Sequence, residues 1–173
     1  MKKSIFLFPI FLIVFVSNAQ NLSLSQLLEI KKKNLIEVEE YLSPKGWTFV
    51  ENDEPIGDFL GYGLFAFGMN QYSGNAQSFL YFFYNKSLNK IRVNIEFQSN
   101  KKYSEYLNAI KGYGCKLISS SVKKGRILKA YQGATTTFIV ESSSVESSIL
   151  GSASPHFSIF IFSNSDYEEY IKF

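Results

Sequence analysis

SNKKYSEYL, Ser99 to Leu107, returns 64 residues later as SNSDYEEYI, Ser163 to Ile171. Five of the nine positions are identical, and the last exchanges Leu for Ile. In the first copy Tyr103, Tyr106, Leu107 and Ile110 fall at i, i+3, i+4 and i+7, which places all four on one face of a helix. Asn100 is the expected N-cap, and Gly112 the expected stop. In the second copy Asn164 precedes Tyr167, Tyr170 and Ile171 at the same spacing, and Ser165 with Glu168 has the pattern of a capping box. A fainter copy, Glu40-Tyr41-Leu42, lies 65 residues before Glu105-Tyr106-Leu107.

The segments after these copies are also alike. SPKGWTFV follows the faint copy at Glu40–Leu42, ending at Val50, and NAIKGYGCKLI follows Ser99–Leu107, ending at Ile118. Each runs from a helix through a Gly–aromatic turn into a strand. In the first unit the pattern predicts strands over Trp47–Glu51, Tyr62–Met69, Ser78–Tyr84 and Lys90–Gln98. In the second it predicts Cys115–Val122, Arg126–Gln132, Thr135–Glu141 and Phe157–Ser163. Lys90–Gln98 alternates Ile91, Val93, Ile95 and Phe97 with Arg92, Asn94, Glu96 and Gln98, the signature of a sheet with one buried face. FLYFFY, Phe79 to Tyr84, is apolar on both faces, so it is expected to be central or covered on both sides. Lys86–Asn89, Lys123-Lys124-Gly125 and Gly133-Ala134 suit tight antiparallel turns. One helix is expected over about Leu24 to Leu42, with Ser23 and Gln26 as its capping box and Pro44 beyond its end.

Two helix-plus-four-strand units predict an α+β domain. The expected architecture is a largely antiparallel sheet of pseudo-duplicated units with helices packed on one face. The repeats span about 23–98 and 99–163 within a single domain, 20–173, and residues 164–173 add a C-terminal helix. This element order resembles the tandem-repeat arrangement of the β-lactamase inhibitor protein family and, more distantly, TATA-binding-like folds. The resemblance lies in element order alone. No signature residue of either family is present, so it implies nothing about function.

Residues 1–19 read as a secretory signal peptide. Lys2 and Lys3 precede an apolar run, Ile5 to Val16, and Ser17 and Ala19 are placed for cleavage after Ala19. The run is shorter than the roughly 20 apolar residues of a membrane helix. No Cys follows it to accept a lipoprotein anchor. The expected location is the periplasm or the exterior of a Gram-negative bacterium, and no transmembrane segment is expected after signal removal. The mature chain of 173 − 19 = 154 residues then carries 16 basic and 15 acidic side chains. Such a balance gives no basic field for phosphate backbones, so nucleic acid is not an expected partner. The single Cys115 allows no internal disulfide, so the fold has to rest on core burial.

If the repeats build a scaffold, binding residues belong where the copies differ. The first unit carries a long insert at Asn52–Gly61 and the second at Ser142–Pro155. Each holds an apolar pair in polar surroundings: Phe59-Leu60 and Ile149-Leu150. These four are the candidate binding residues, either as anchors for a partner or as pins that hold each loop to the sheet edge. Asp53, Glu54 and Asp58 do not follow the alternation of an EF-hand and read as a solvated acidic loop.

Other chemistries are missing. One histidine, His156, excludes a site of several His ligands. No phosphate-binding glycine loop and no GxSxG elbow is present. No cofactor or metal is expected, and no catalytic residue is assigned. Aromatics are abundant, 25 in the mature chain once the four Phe of the signal are removed. Most fit core positions, yet Tyr62, Tyr72, Tyr81, Tyr84, Tyr113 and Tyr131 are alternatives for lining a concave sheet surface. The expected function is a non-enzymatic module that binds another envelope or extracellular macromolecule. The alternatives are a carrier of a small apolar or glycan ligand and, last, a carboxylate-based hydrolase.

Overall fold

The computed structural model describes residues 22–70, 72–146 and 153–171. The eight expected strands all form: β1 (Trp47–Asp53), β2 (Gly61–Phe67), β3 (Ser78–Asn85), β4 (Lys90–Phe97), β5 (Lys116–Lys123), β6 (Arg126–Gln132), β7 (Thr136–Glu146) and β8 (Ala153–Ser163). They make one sheet in the order β1-β2-β3-β4-β8-β7-β6-β5, antiparallel at every pair. Each half is a meander, and the halves join where β4 pairs with β8. Turn chemistry sets the connections. Lys124 and Gly125 both take positive φ between β5 and β6, the geometry that matches strand twist in a two-residue hairpin.

The helical part departs from expectation in two places. The predicted Leu24–Leu42 helix is two helices, α1 (Leu24–Ile30) and α2 (Leu35–Leu42). The break is chemical. Asn34 and Glu37 form a reciprocal capping box, Glu37 N donating to Asn34 Oδ1 and Asn34 N to the Glu37 carboxylate, and this starts a second helix. The Ser23–Gln26 box that opens α1 is present as expected. In α3 (Asn100–Gly112) and α4 (Asn164–Tyr170) the cap is one residue earlier than expected. Ser99 and Ser163 each accept the N3 amide, from Lys102 and Asp166, and Ser165 and Glu168 form no capping box.

The alternation decides which side chains meet. Phe65, Leu80, Ile95, Ile159 and Val140 stand in one cross-strand row. That inner face packs against Leu24, Leu27 and Ile30 of α1, Val38 and Leu42 of α2, and Tyr106 and Ile110 of α3. Each large side chain so buried contributes roughly 1.5–3 kcal/mol. Tyr106 adds a polar tie: its hydroxyl donates to the Leu22 carbonyl, fastening the segment before α1 to α3. Gly63 lets α2 approach, because a Cβ there would stand 2.3 Å from Leu35 Cδ1. The outer strands each carry a bulge, at Val50 in β1 and at Ile118 in β5, which twists a sheet edge away from further pairing.

α4 does not join its companions. Tyr167 packs with Ala130 and Phe162 in a separate cluster, and Ala130 lies in register with Ile139 on the opposite, outer face. Buried residues of α1 to α3 share the inner cluster and Tyr167 of α4 belongs to the other one, which departs from the expected packing of the helices on one face.

Candidate functional site

One row of residues crosses the outer face of all eight strands: Glu51, Leu64, Tyr81, Asn94, Phe160, Ile139, Ala130 and Ser119. α4 crosses only part of this face. Between α4 and the floor of β4 to β8 lies a groove of about 890 Å³. Phe160, Ile139 and Leu128 give it an apolar floor, Tyr167 and Tyr170 form its helical wall, and Ser119, Ser121 and Ser158 add hydroxyls.

Aromatic rings lead into the groove. Tyr62 lies 6.3 Å from Tyr81 and from Phe83, Tyr81 stacks on Phe83 at 5.9 Å, and Phe83 stacks on Phe160 at 5.9 Å. Tyr62, Tyr81, Phe83 and Phe160 are all half-buried. β4 lies between β3 and β8, so the Phe83 and Phe160 rings meet above it. Beneath them Asn94 is 3% exposed. Its Nδ2 donates to Glu96, while its Oδ1 has no partner among the described residues. Reversing the amide would turn Oδ1 toward the Glu96 carboxylate, two acceptors face to face, so this orientation is chemically fixed.

Several ionisable side chains on this face stand beside one of opposite sign. Arg92 grips Asp166 at both ends, Nε to Oδ2 at 2.8 Å and Nη2 to Oδ1 at 2.9 Å, and its guanidinium lies 5.3 Å from the Phe162 ring and 5.4 Å from Tyr170. Lys90 binds Glu169, Arg126 lies 3.1 Å from Glu141, and His156 Nε2 lies 3.6 Å from Glu96. Arg92–Asp166 and Lys90–Glu169 fasten α4 to β4. Tyr62 donates to Glu51, and that bond, with burial and nearby negative charge, raises its pKa. Burial raises that of Tyr81, and Glu96 and Glu51 push it the same way. Both rings therefore present neutral hydroxyls at physiological pH.

Of the four candidate binding residues, Phe59 and Leu60 lie among the described residues. Phe59 is 78% exposed, while Leu60 is half-buried. Asn85 Nδ2 donates to the carbonyls of Gly57 and Phe59, so a buried side chain at the end of β3, rather than the apolar pair, pins the first loop. Asp58 of this loop reaches the rim of the groove. Ile149 and Leu150 lie outside the described residues. Of the six tyrosines, Tyr62 and Tyr81 are on the outer face. Tyr84 and Tyr131 pack with the inner cluster, and Tyr72 and Tyr113 are exposed. Sequence reading missed Phe83, Phe160, Arg92 and Asp166. The available signal was FLYFFY itself, whose second apolar face had to go somewhere.

Cys115 packs against the inner cluster and His156 sits on the outer face, so the sheet separates the only thiol from the only imidazole. No group of three or more His, Cys, Asp or Glu among the described residues is placed to hold a metal. Of the acids lining the groove, Glu169 and Glu141 each face a cation. No helix among the described residues is long and apolar enough to cross a membrane. Comparison of the chain with family models, curated proteins and solved structures finds no match.

Proposed function

We propose that this chain is an exported, non-enzymatic binding module that takes an extended macromolecule of the envelope or extracellular space across the outer face of its sheet. The observation that carries this reading is the run of half-buried rings, Tyr62, Tyr81, Phe83 and Phe160, entering a groove of about 890 Å³. Apolar surface left in water costs roughly 25 cal/mol per Å². A row of such rings on a rigid sheet recovers that cost only when something covers it. The scaffold reading goes with this: the two meanders are copies of one unit, and their bulges at Val50 and Ile118 follow matching positions of the repeat. The groove volume also lies within the roughly 300–1,000 Å³ of small-molecule sites, which favours a carrier of a compact ligand as the second reading.

Native mass spectrometry of the mature protein from its own host tests this. An added mass is expected on the wild type and lost on Tyr81→Ser combined with Phe160→Ser. A mass of polymer size supports the module, and one of a few hundred daltons the carrier. Retention of the mass by this variant, with Phe59→Ser removing it instead, would move the site to the first loop.

A further inference from the structure

We infer that the outer face takes an uncharged, hydroxyl-rich sugar chain, laid along the rings from Tyr62 to Phe160 and into the groove beside α4; this rests on the binding-module reading above.

Charge is the first argument. The groove is lined by Lys90, Arg92 and Lys123 against Asp58, Glu141 and Glu169, three of each sign. Lys90, Arg92 and Glu141 are each held by a partner within the fold. The groove thus has no net field to draw an anionic or a cationic polymer. Paired guanidinium and carboxylate groups still keep spare donors and acceptors at their rims, and these suit hydroxyls.

Shape and backbone chemistry narrow the class. An aromatic ring carries negative charge on its faces and positive charge at its edge. The C–H bonds of a sugar ring are polarised by their oxygens and settle against such faces, while the hydroxyls point sideways. The sideways groups here are Ser158 and Arg92, flanking the stacked Phe83 and Phe160. Asn94 Oδ1 beneath these rings is a buried acceptor with no donor among the described residues, and a hydroxyl is a neutral donor that would satisfy it once either ring tilts. A polypeptide that added itself as a strand would be held by main-chain bonds to a strand edge. The central strands β3, β4 and β8 are hydrogen-bonded on both sides and offer none across their face.

The test is calorimetric titration of the mature protein with short neutral oligosaccharides: β-linked glucans, xylans and N-acetylglucosamine chains. A sulfated polysaccharide, polylysine and a proline-rich peptide serve as comparison probes. At least one neutral series is expected to bind, changing less than about twofold between roughly 0.05 and 0.5 M salt, because no charge pairing is screened. Tyr81→Ala and Phe160→Ala should each weaken it by about tenfold or more. Tyr81→Ala lies outside the groove and guards against a Phe160→Ala variant that misfolds. Asn94→Leu should weaken binding while leaving the thermal midpoint at or above that of the wild type. If a charged probe or the peptide binds instead, and Tyr81→Ala abolishes it, the sugar class is wrong while the outer-face site stands. If the outer-face variants alter the binding of no probe, both are overturned.

Discussion

Replacing Asp166 by Ala should cost more than removing any other charged side chain on the outer face. Its side chain is only 4% exposed and that of Arg92 19%, and they share two hydrogen bonds of 2.8 and 2.9 Å. Removing one partner of such a pair strands the other charge, a loss of about 3–5 kcal/mol. Asp166 also sits in the first turn of α4, where a carboxylate adds roughly 0.3–1 kcal/mol. For a chain of this length each kcal/mol moves the thermal midpoint by about 2–4 °C, so the combined loss of about 3–6 kcal/mol in Asp166→Ala should lower it by roughly 6–24 °C. Total stability of a domain is only about 5–15 kcal/mol, so the variant would stand near the edge of folding. Urea melts followed by circular dichroism give the free energy without adding salt. Glu169→Ala is the internal comparison, because Glu169 is 54% exposed and its bridge to Lys90 should be worth about 1 kcal/mol or less. Arg92→Met with Asp166→Leu should recover most of the loss, since well-packed apolar pairs replace buried ion pairs at little cost. An Asp166→Ala variant within about 0.5 kcal/mol of the wild type would refute the reasoning, because the pair would then behave as a surface bridge.

Tyr106 predicts a pH dependence. Burial, with a smaller push from Glu105, raises its pKa far above the usual 10. Below pH 10 the phenol is protonated in both states and stability is unaffected. Above 10 the unfolded chain loses the proton and the folded one keeps it, so stability should fall by about 1.4 kcal/mol per pH unit. Tyr106→Phe should cost about 1–3 kcal/mol at neutral pH, by orphaning the Leu22 carbonyl, and should flatten the alkaline fall. Parallel alkaline limbs in wild type and variant would exclude Tyr106 as a cause. Gly61→Ala should be worse than Gly63→Ala. A Cβ at Gly61 meets the Asp53 carbonyl and Pro55 N at 2.5 Å, rigid backbone, whereas one at Gly63 meets only a Leu35 methyl. Gly63→Ala should cost about 1–3 kcal/mol, and equal thermal midpoints for the two would refute this order.

All eight strands were legible because their information is local: period-two alternation, β-branched and aromatic residues, and glycine turns. The split between α1 and α2 was equally local. It was written in Asn34 and Glu37 but hidden by apolar spacing that runs through both helices. The outer-face site was not legible, because its members come together only through strand order. Phe83 and Phe160 lie 77 positions apart and touch because β4 pairs with β8. Arg92 meets Asp166 for the same reason. The inserts drew attention as places of divergence, and the loop that carries Phe59 is held by Asn85, a residue that carries no sequence signal for that work.

The two copies of the nonapeptide show where local reading stops. Tyr103 and Tyr106 of α3 go to the inner face, where Tyr103 stacks on Phe157 at 4.5 Å and Tyr106 meets Phe97 at 5.3 Å. The matching Tyr167 and Tyr170 of α4 go to the outer face and meet Phe162 at 6.1 and 5.0 Å. The tyrosines do not choose. The residue before each cap does: Gln98, exposed, precedes Ser99, whereas Phe162, fully buried, precedes Ser163. A Phe there faces outward along β8 and needs cover. A Gln at the same place needs none and leaves its helix free to seek Phe97 and Phe157 on the other side. Position 102 reinforces the choice. Lys102 pairs within its own helix with Glu105, while its counterpart Asp166 reaches across to Arg92. One apolar side chain and one reversed charge thus turn the second helix onto the outer face, and only there can it wall a groove.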